Sequence, residues 1–348
     1  MTERALPKTQ KSSSLPLSWG QICFGFFSLF CLFLLLRNAE LAISYIHKGL
    51  LLCARTVIPS LFPFMVLSEL LVGGGADRLL PHWLARPMEC LFSLPREGCC
   101  AILLGWLCGF PVGARCVCMA YDRGALSKEQ AERALCVSNS PSSAFLINAV
   151  GISLWDSRRF GLTLYATVLA VSLLYGILLG QKSKRRLRER NDPNAALAPL
   201  SANPLSGAAL FTQSVRSATG SILLVCAYIL FFSAFVGTLG VILGRFGVSA
   251  PLRSGIFAFF EISGGMSAAA ELENAFFAAC LSAFAAGWSG LSVHCQVLSV
   301  SEGRELSFGR YFRSKLLQGL LCALVFGILL ILFPSLTSPT QGSNAVGF

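Results

Sequence analysis

The sequence predicts an all-α polytopic membrane protein, and three observations carry that prediction. Of 348 residues, 54% are hydrophobic and 13% charged, roughly half the ~25% of charge usual in a soluble domain. Phenylalanine, at 27, outnumbers the 17 acidic residues. The apolar residues also fall in long runs almost free of charge. Such runs suit helices, which satisfy every backbone group internally and so can cross lipid. The net charge of +11 does not point to nucleic acid, because the basic residues stand beside the apolar runs, where cytoplasmic loops place them. The lipid bilayer is the expected surrounding partner.

The runs are taken in order. The first span lies within 12–36, behind Arg4, Lys8 and Lys11. No small-residue cleavage site follows Leu36, so a retained anchor helix over 20–36 is expected after a cytoplasmic N-terminus, 1–19. The window 56–76 is apolar except for Glu69. The windows 134–155, 160–181, 217–244 and 274–301 are each long enough to cross. A last uncharged run starts at Leu316, its span ending near Pro334 and leaving a non-cytoplasmic tail, 335–348.

Two windows resist reading as ordinary spans. In 98–114, Gly109, Pro111 and Gly113 stand mid-window, where Pro111 lacks a backbone donor and the glycines weaken the helix. Each half is about 15 Å of helix, half the hydrocarbon thickness, and both flanks are charged. A re-entrant hairpin is expected. The window 254–270 has the same build around Ser263, Gly264 and Gly265. Treating both as hairpins gives seven spans and a cytoplasmic N-terminus. Only Arg37, Lys48, Arg55, Arg158, Arg159, Arg245 and Arg253 are then outside, out of 28 Lys and Arg, as the positive-inside rule requires. A full crossing by 98–121 would move Lys182, Lys184, Arg185, Arg186, Arg188 and Arg190 outside.

This arrangement contains a repeat. Span, hairpin, span, span occurs over 56–181 and again over 217–334, in opposite orientation and joined by a basic cytoplasmic linker, 182–216. Inverted repeats with discontinuous helices near the midplane are the build of secondary transporters.

Residues able to carry chemistry collect at the interruptions. The tips Gly109, Phe110, Pro111, Gly113 and Ser263, Gly264, Gly265 free backbone groups at membrane depth, tolerable only where protein or a watered cavity surrounds them. Helix N-termini there attract anions, although a plain structural kink is the alternative. Asn139, Ser140, Ser142 and Ser143 form a polar turn at Pro141, either facing a ligand or forming an interhelical seam. Ser289, Ser292 and Gln296 are expected on one helix face, with His294 off that stripe as a proton relay or a hydrogen-bonded core residue.

Glu69 and Glu261 are the acids within the expected spans, and an intramembrane carboxylate is a functional hypothesis by default. Each could couple an ion or proton, or cap a freed N–H. Direct participation is expected for Glu261. For Glu69 a structural role against 78–97 is expected. Arg115 either attracts an anion or marks the cytoplasmic interface.

Enzyme readings do not carry. Gly287-Trp288-Ser289-Gly290 matches the Gly-x-Ser-Gly of rhomboid-type proteases, but their base comes from another span, and His294 lies close by on the same one. Gly73-Gly74-Gly75 lacks the strand and Lys-Ser/Thr of a phosphate loop. With 14 Cys but 3 His and no CxxC, neither a metal site nor a cofactor is expected.

Leu61-Phe62-Pro63-Phe64, Ser68-Glu69-Leu70, Gly109-Phe110-Pro111-Val112-Gly113-Ala114-Arg115, Asn139-Ser140-Pro141-Ser142 and Gly290-Leu291-Ser292-Val293-His294-Cys295-Gln296 resemble the YlbJ-type sporulation integral membrane proteins. That group carries the nucleoside-recognition (gate) domain, and the resemblance covers residues 50–333. It implies a nucleoside-transporter-like fold, two gate repeats, and transport of dipicolinate across the outer forespore membrane or the cell membrane. Dipicolinate is a planar aromatic dianion, so each hairpin N-terminus would face one carboxylate, with Phe110 near the ring. A nucleoside or nucleobase-like solute and a non-transporting spore-envelope scaffold are the alternatives. A homo-oligomer stays open.

Overall fold

Helices account for every regular element of the computed structural model, which describes residues 19–75, 80–190 and 207–337. The expected cytoplasmic N-terminus up to residue 18, the linker over 191–206 and the tail beyond 337 lie outside the described residues.

The first helix, α1 (Trp19–Arg37), covers the expected anchor and turns Phe24, Phe33 and Leu36 outward, as suits a helix set in lipid. Asn38 ends it, its Nδ2 donating to the Leu34 carbonyl at 2.9 Å. The chain then re-enters helix at α2 (Ala39–Leu52) and passes through a π-helical turn, Cys53–Val57, into α3 (Ile58–Gly73). The stretch 37–55, expected as an outside loop, is therefore helical. Between 39 and 57 there is no Pro and Gly49 is the one Gly, so no strong breaker stops the chain there. The expected 56–76 span is the second half of a longer rod.

Next, α4 (His82–Phe92) meets α5 (Arg96–Cys108) at 98°, where Ser93 takes a left-handed turn (φ 51°). The returning helix α6 (Val112–Asp122) follows the Gly109–Pro111 tip. A capping box opens α7 (Lys128–Ser138): Gln130 N donates to Ser127 Oγ at 3.3 Å and Ser127 N to Gln130 Oε1 at 2.8 Å. Its far end unwinds over 139–142 before a π-helical stretch, Phe145–Leu154, and the long α8 (Arg158–Arg190). The 134–155 window is thus two segments, because Pro141 cannot donate into a helical ladder.

The second half starts with α9 (Gly207–Arg245), followed by α10 (Ala250–Phe260), α11 (Ile262–Ala270), α12 (Ala275–Trp288), α13 (Gly290–Val300) and α14 (Phe308–Leu332). Asn274 caps α12, its Oδ1 accepting from Phe277 N at 2.9 Å. Ser289, in a left-handed conformation at φ 75°, separates α12 from α13. Among the described residues, five stretches are long and apolar enough to cross a membrane: α1, Arg158–Ser183, α9, Ala275–Val300 and α14.

Both expected hairpin windows fold as helical hairpins. In the first, Gly105 of α5 lies against Gly113 of α6, since a Cβ on Gly105 would stand 2.9 Å from the Gly113 Cα. In the second, Ser254 of α10 donates to the Ala268 carbonyl of α11 at 3.0 Å, and a Cβ on Gly265 would meet the Ala258 backbone nitrogen at 2.6 Å. Pairings of 254 with 268 and 258 with 265 are those of antiparallel legs.

Among the described residues, the two largest buried apolar clusters hold most of these elements. One gathers Met65, Phe92, Ile102, Val117 and Leu135 from α3 to α7. The other gathers Leu146, Phe160, Met266, Ala283 and Phe326 from the π stretch, α8 and α11 to α14. Phe110, at the first hairpin tip, packs on the second cluster rather than the first, so the tip reaches across the molecule.

Candidate substrate site

The same local arrangement occurs twice. The first hairpin tip touches the break that follows α7: a Cβ on Gly109 would lie 2.7 Å from the Ser142 backbone nitrogen. The second tip touches the break between α12 and α13: a Cβ on Gly290 would lie 3.1 Å from the Glu261 Cα and the Ile262 nitrogen. Gly109 and Gly290 both sit at positive φ, 83° and 78°, where a side chain would strain the backbone as well as collide. In each half, therefore, a hairpin tip is lodged against the interruption of the next span.

At the first break, Ser138, Asn139 and Ser140 are fully buried, and Ser142 and Ser143 half-buried. Ser142 Oγ accepts from Phe145 N at 3.2 Å, capping the helix that resumes there. Asn139 Nδ2 donates to Tyr311 Oη of α14 at 2.5 Å, and Tyr311 Oη lies 3.2 Å from His294 Nδ1 of α13. The imidazole tautomer decides which of the two donates in that contact. Trp288 packs edge-on against the imidazole, ring centres 4.3 Å apart. The α7 break and α13–α14 are thereby tied by one polar chain.

Lys315 joins this group and was not expected from sequence. It is completely buried on α14, donating from Nζ to the Asn139 carbonyl at 2.8 Å and standing 3.5 Å from Gln318 Oε1. Gln318 Nε2 in turn donates to the Cys136 carbonyl at 2.8 Å. The signal was present: Tyr311, Ser314, Lys315 and Gln318 fall on one face at helical spacing. A span start placed at Leu316 left the first three of them in a cytoplasmic loop.

Several expectations need correction. Ser289 is not on a helical stripe with Ser292 and Gln296. It occupies the left-handed break, its Oγ donating to the Ala286 carbonyl at 3.5 Å, while Ser292 and Gln296 lie one turn apart on α13. Glu69 does not lean on 78–97. It forms an ion pair with Arg115 of α6, and Ser217 Oγ of α9 donates to its Oε1 at 3.2 Å. Arg115, also bonded to Ser217 and Ser221, is a buried partner rather than an interface marker.

Glu261 caps its own hairpin. Its two oxygens accept from Ser263 N at 3.0 Å and Gly264 N at 2.6 Å, so a carboxylate already occupies the N-terminus of α11. A solute bridging two open hairpin N-termini does not fit this arrangement. The α6 N-terminus behind Pro111 has no side-chain cap.

One end of the molecule carries a polar clasp between the halves. Arg304 Nε donates to Asp122 Oδ1 at 2.7 Å, Ser307 N donates to Glu132 Oε1 at 2.8 Å, and Arg310 lies 3.6 Å from Glu132. The Asp122 bond holds the Arg304 guanidinium above its ordinary range. Beside the clasp, a cavity of about 400 Å³ is lined by Lys182, Arg310 and Arg313 with Glu129 as the lone acid. Among the described residues, no cluster of His, Cys, Asp or Glu could hold a metal ion.

No family model matches the chain, and no solved structure matches it. Among curated proteins it is similar to the sporulation integral membrane protein YlbJ of Bacillus subtilis (strain 168), 28% identical over 334 residues, spanning 87% of this chain and 81% of the relative. The chain resembles YlbJ. The resemblance read from the Gly-Phe-Pro-Val-Gly-Ala and Gly-Leu-Ser-Val-His-Cys-Gln runs therefore extends over nearly the whole sequence. An integral membrane relative and five helices able to cross lipid make this a multi-pass membrane protein. The runs that carry the resemblance include the first tip, the two breaks and the Glu69–Arg115 pair.

Proposed function

We propose that the protein is a sporulation membrane transporter that carries the planar dianion dipicolinate across the outer forespore membrane. In this reading the two halves are inverted gate repeats, the hairpins re-enter the membrane, and the solute binds between the tips and the breaks near the midplane. The observation that supports it most is the doubled arrangement, a hairpin tip lodged against the break of the following span in each half. Transporters place freed backbone and polar side chains at such paired discontinuities, and a static scaffold has no use for burying them there. The basic cavity beside the Asp122–Arg304 clasp suits the mouth of an anion path on the side where Lys and Arg concentrate. The sporulation setting comes from the name of the similar protein. No reaction is assigned to the chain.

The polar turn is the part most directly tested. Asn139→Ala removes the amide that binds Tyr311 and leaves a buried phenol short of a partner, a loss of about 1–3 kcal/mol. Dipicolinate uptake into proteoliposomes is expected to fall at least tenfold, while membrane insertion and purification yield stay near wild type. Normal uptake by this variant would make the turn an interhelical seam only.

Orientation is tested separately. On a background lacking the exposed Cys23 and Cys90, cysteines at Lys182 and Glu302 are expected to label from the cytoplasm. Cysteines at Arg158 and Phe246 are expected to label from the opposite side. Labelling of Lys182→Cys from outside would remove the inverted repeat.

A further inference from the structure

We propose that Lys315, with the imidazole and hydroxyls around it, forms a subsite for one carboxylate group of the transported solute. The inference rests on the transporter reading and adds to it the residue that recognises the solute's charge.

Lys315 is fully buried in a membrane-crossing helix. Among the described residues every ion pair uses other groups, so no carboxylate faces it. A buried cation at membrane depth is expensive and is expected to have a counter-charge. Arg115, equally deep in the protein, has one in Glu69. The ammonium carries three donors, of which one is well used, on the Asn139 carbonyl, and one reaches Gln318 at 3.5 Å.

The neighbouring groups can donate as well. His294 contacts Tyr311 through Nδ1, and its buried Nε2 has no partner. The hydroxyls of Ser138, Ser140 and Ser292 are buried and equally unpartnered. The amide oxygens Asn139 Oδ1 and Gln296 Oε1 are unpartnered too, and Gln296, turned by 180° about its last bond, presents a donor in the same place. Lys315, Asn139, Tyr311 and His294 are joined through these bonds and come from the α7 break, α13 and α14, so both halves contribute. A single positive charge among spare N–H and O–H donors matches a carboxylate, which accepts at about four lone-pair positions. It does not match a neutral nucleoside, which would leave the ammonium uncompensated.

The test uses the purified full-length protein and measures affinity for pyridine-2,6-dicarboxylate, its neutral diamide, picolinate and uridine. Wild type is expected to bind the dicarboxylate at least tenfold more tightly than the diamide. Lys315→Met, of similar length and uncharged, is expected to lose at least tenfold in dicarboxylate affinity, with Lys315→Arg retaining more. Unchanged dicarboxylate binding by folded Lys315→Met would overturn the subsite and leave the transporter reading standing. Binding of picolinate but not the dicarboxylate, lost in Lys315→Met, would uphold the subsite and remove dipicolinate as the substrate. Binding of uridine in preference to any carboxylate, or of none of the probes, would overturn both. If Lys315→Met does not fold, wild type decides alone, since equal affinity for diacid and diamide sinks the subsite.

Discussion

Glu69→Gln is expected to destabilise the protein by about 3–5 kcal/mol, because it strands a buried charge. Arg115 and Glu69 expose only 7% and 3% of their surface, and the pair joins α6 to α3. Ser217 and Ser221 of α9 complete the guanidinium's partners, so three helices meet at one ion pair. Removing the carboxylate's charge leaves the Arg115 guanidinium with two hydroxyls and no counter-ion. In a chain of this size the loss amounts to roughly 6–10 °C in melting temperature in detergent. Arg115→Met should be similarly damaging, since it leaves Glu69 uncompensated. The double variant Glu69→Met/Arg115→Met should melt above either single one, because neither charge then remains buried. Single variants melting within about 2 °C of wild type would show that the pair is not the joint inferred here.

The class of the protein and the positions of its interruptions were legible in the sequence, because both rest on local chemistry. Charge density decides between water and lipid, and Gly109, Pro111 and Pro141 break helices whatever surrounds them. Gly264 and Gly265, expected at the second tip, instead lie inside α11, and the turn falls at Glu261. The polar residues at 139–143 and 289–296 were likewise visible as misfits in apolar runs. What escaped was pairing across the fold. Glu69 and Arg115 are 46 positions apart, and nothing local says that they meet. Asn139 and Tyr311 are separated by 172 residues. Lys315 escaped for a different reason: a charge at the edge of an apolar run reads as a loop residue, and only the depth of α14 reveals it as buried. Helix 39–57 was missed because its charges suggested an outside loop, although no strong breaker interrupts it.

Gly113→Ala is expected to prevent folding outright. A Cβ at Gly113 would run into the Ser138 carbonyl and come within 2.7 Å of the Gly105 Cα, and one at Gly105 would meet the same carbonyl. All the atoms involved are backbone. Overpacking a core usually costs about 1–3 kcal/mol because side chains shift aside, but here α5, α6 and the end of α7 would have to separate together. That displacement would also pull Gly109 from Ser142 and shift Asn139 relative to Tyr311, so residual folded protein should bind no solute. Gly255→Ala in the second hairpin provides the control, since a Cβ there meets nothing within 4 Å and should favour the helix by roughly 1 kcal/mol. Size-exclusion profiles in detergent separate the two outcomes: a monodisperse peak for Gly255→Ala, and aggregate for Gly113→Ala and Gly105→Ala. A monodisperse Gly113→Ala with wild-type melting would mean that the first hairpin does not pack against Ser138 as described, and the tip-against-break arrangement would lose its first instance.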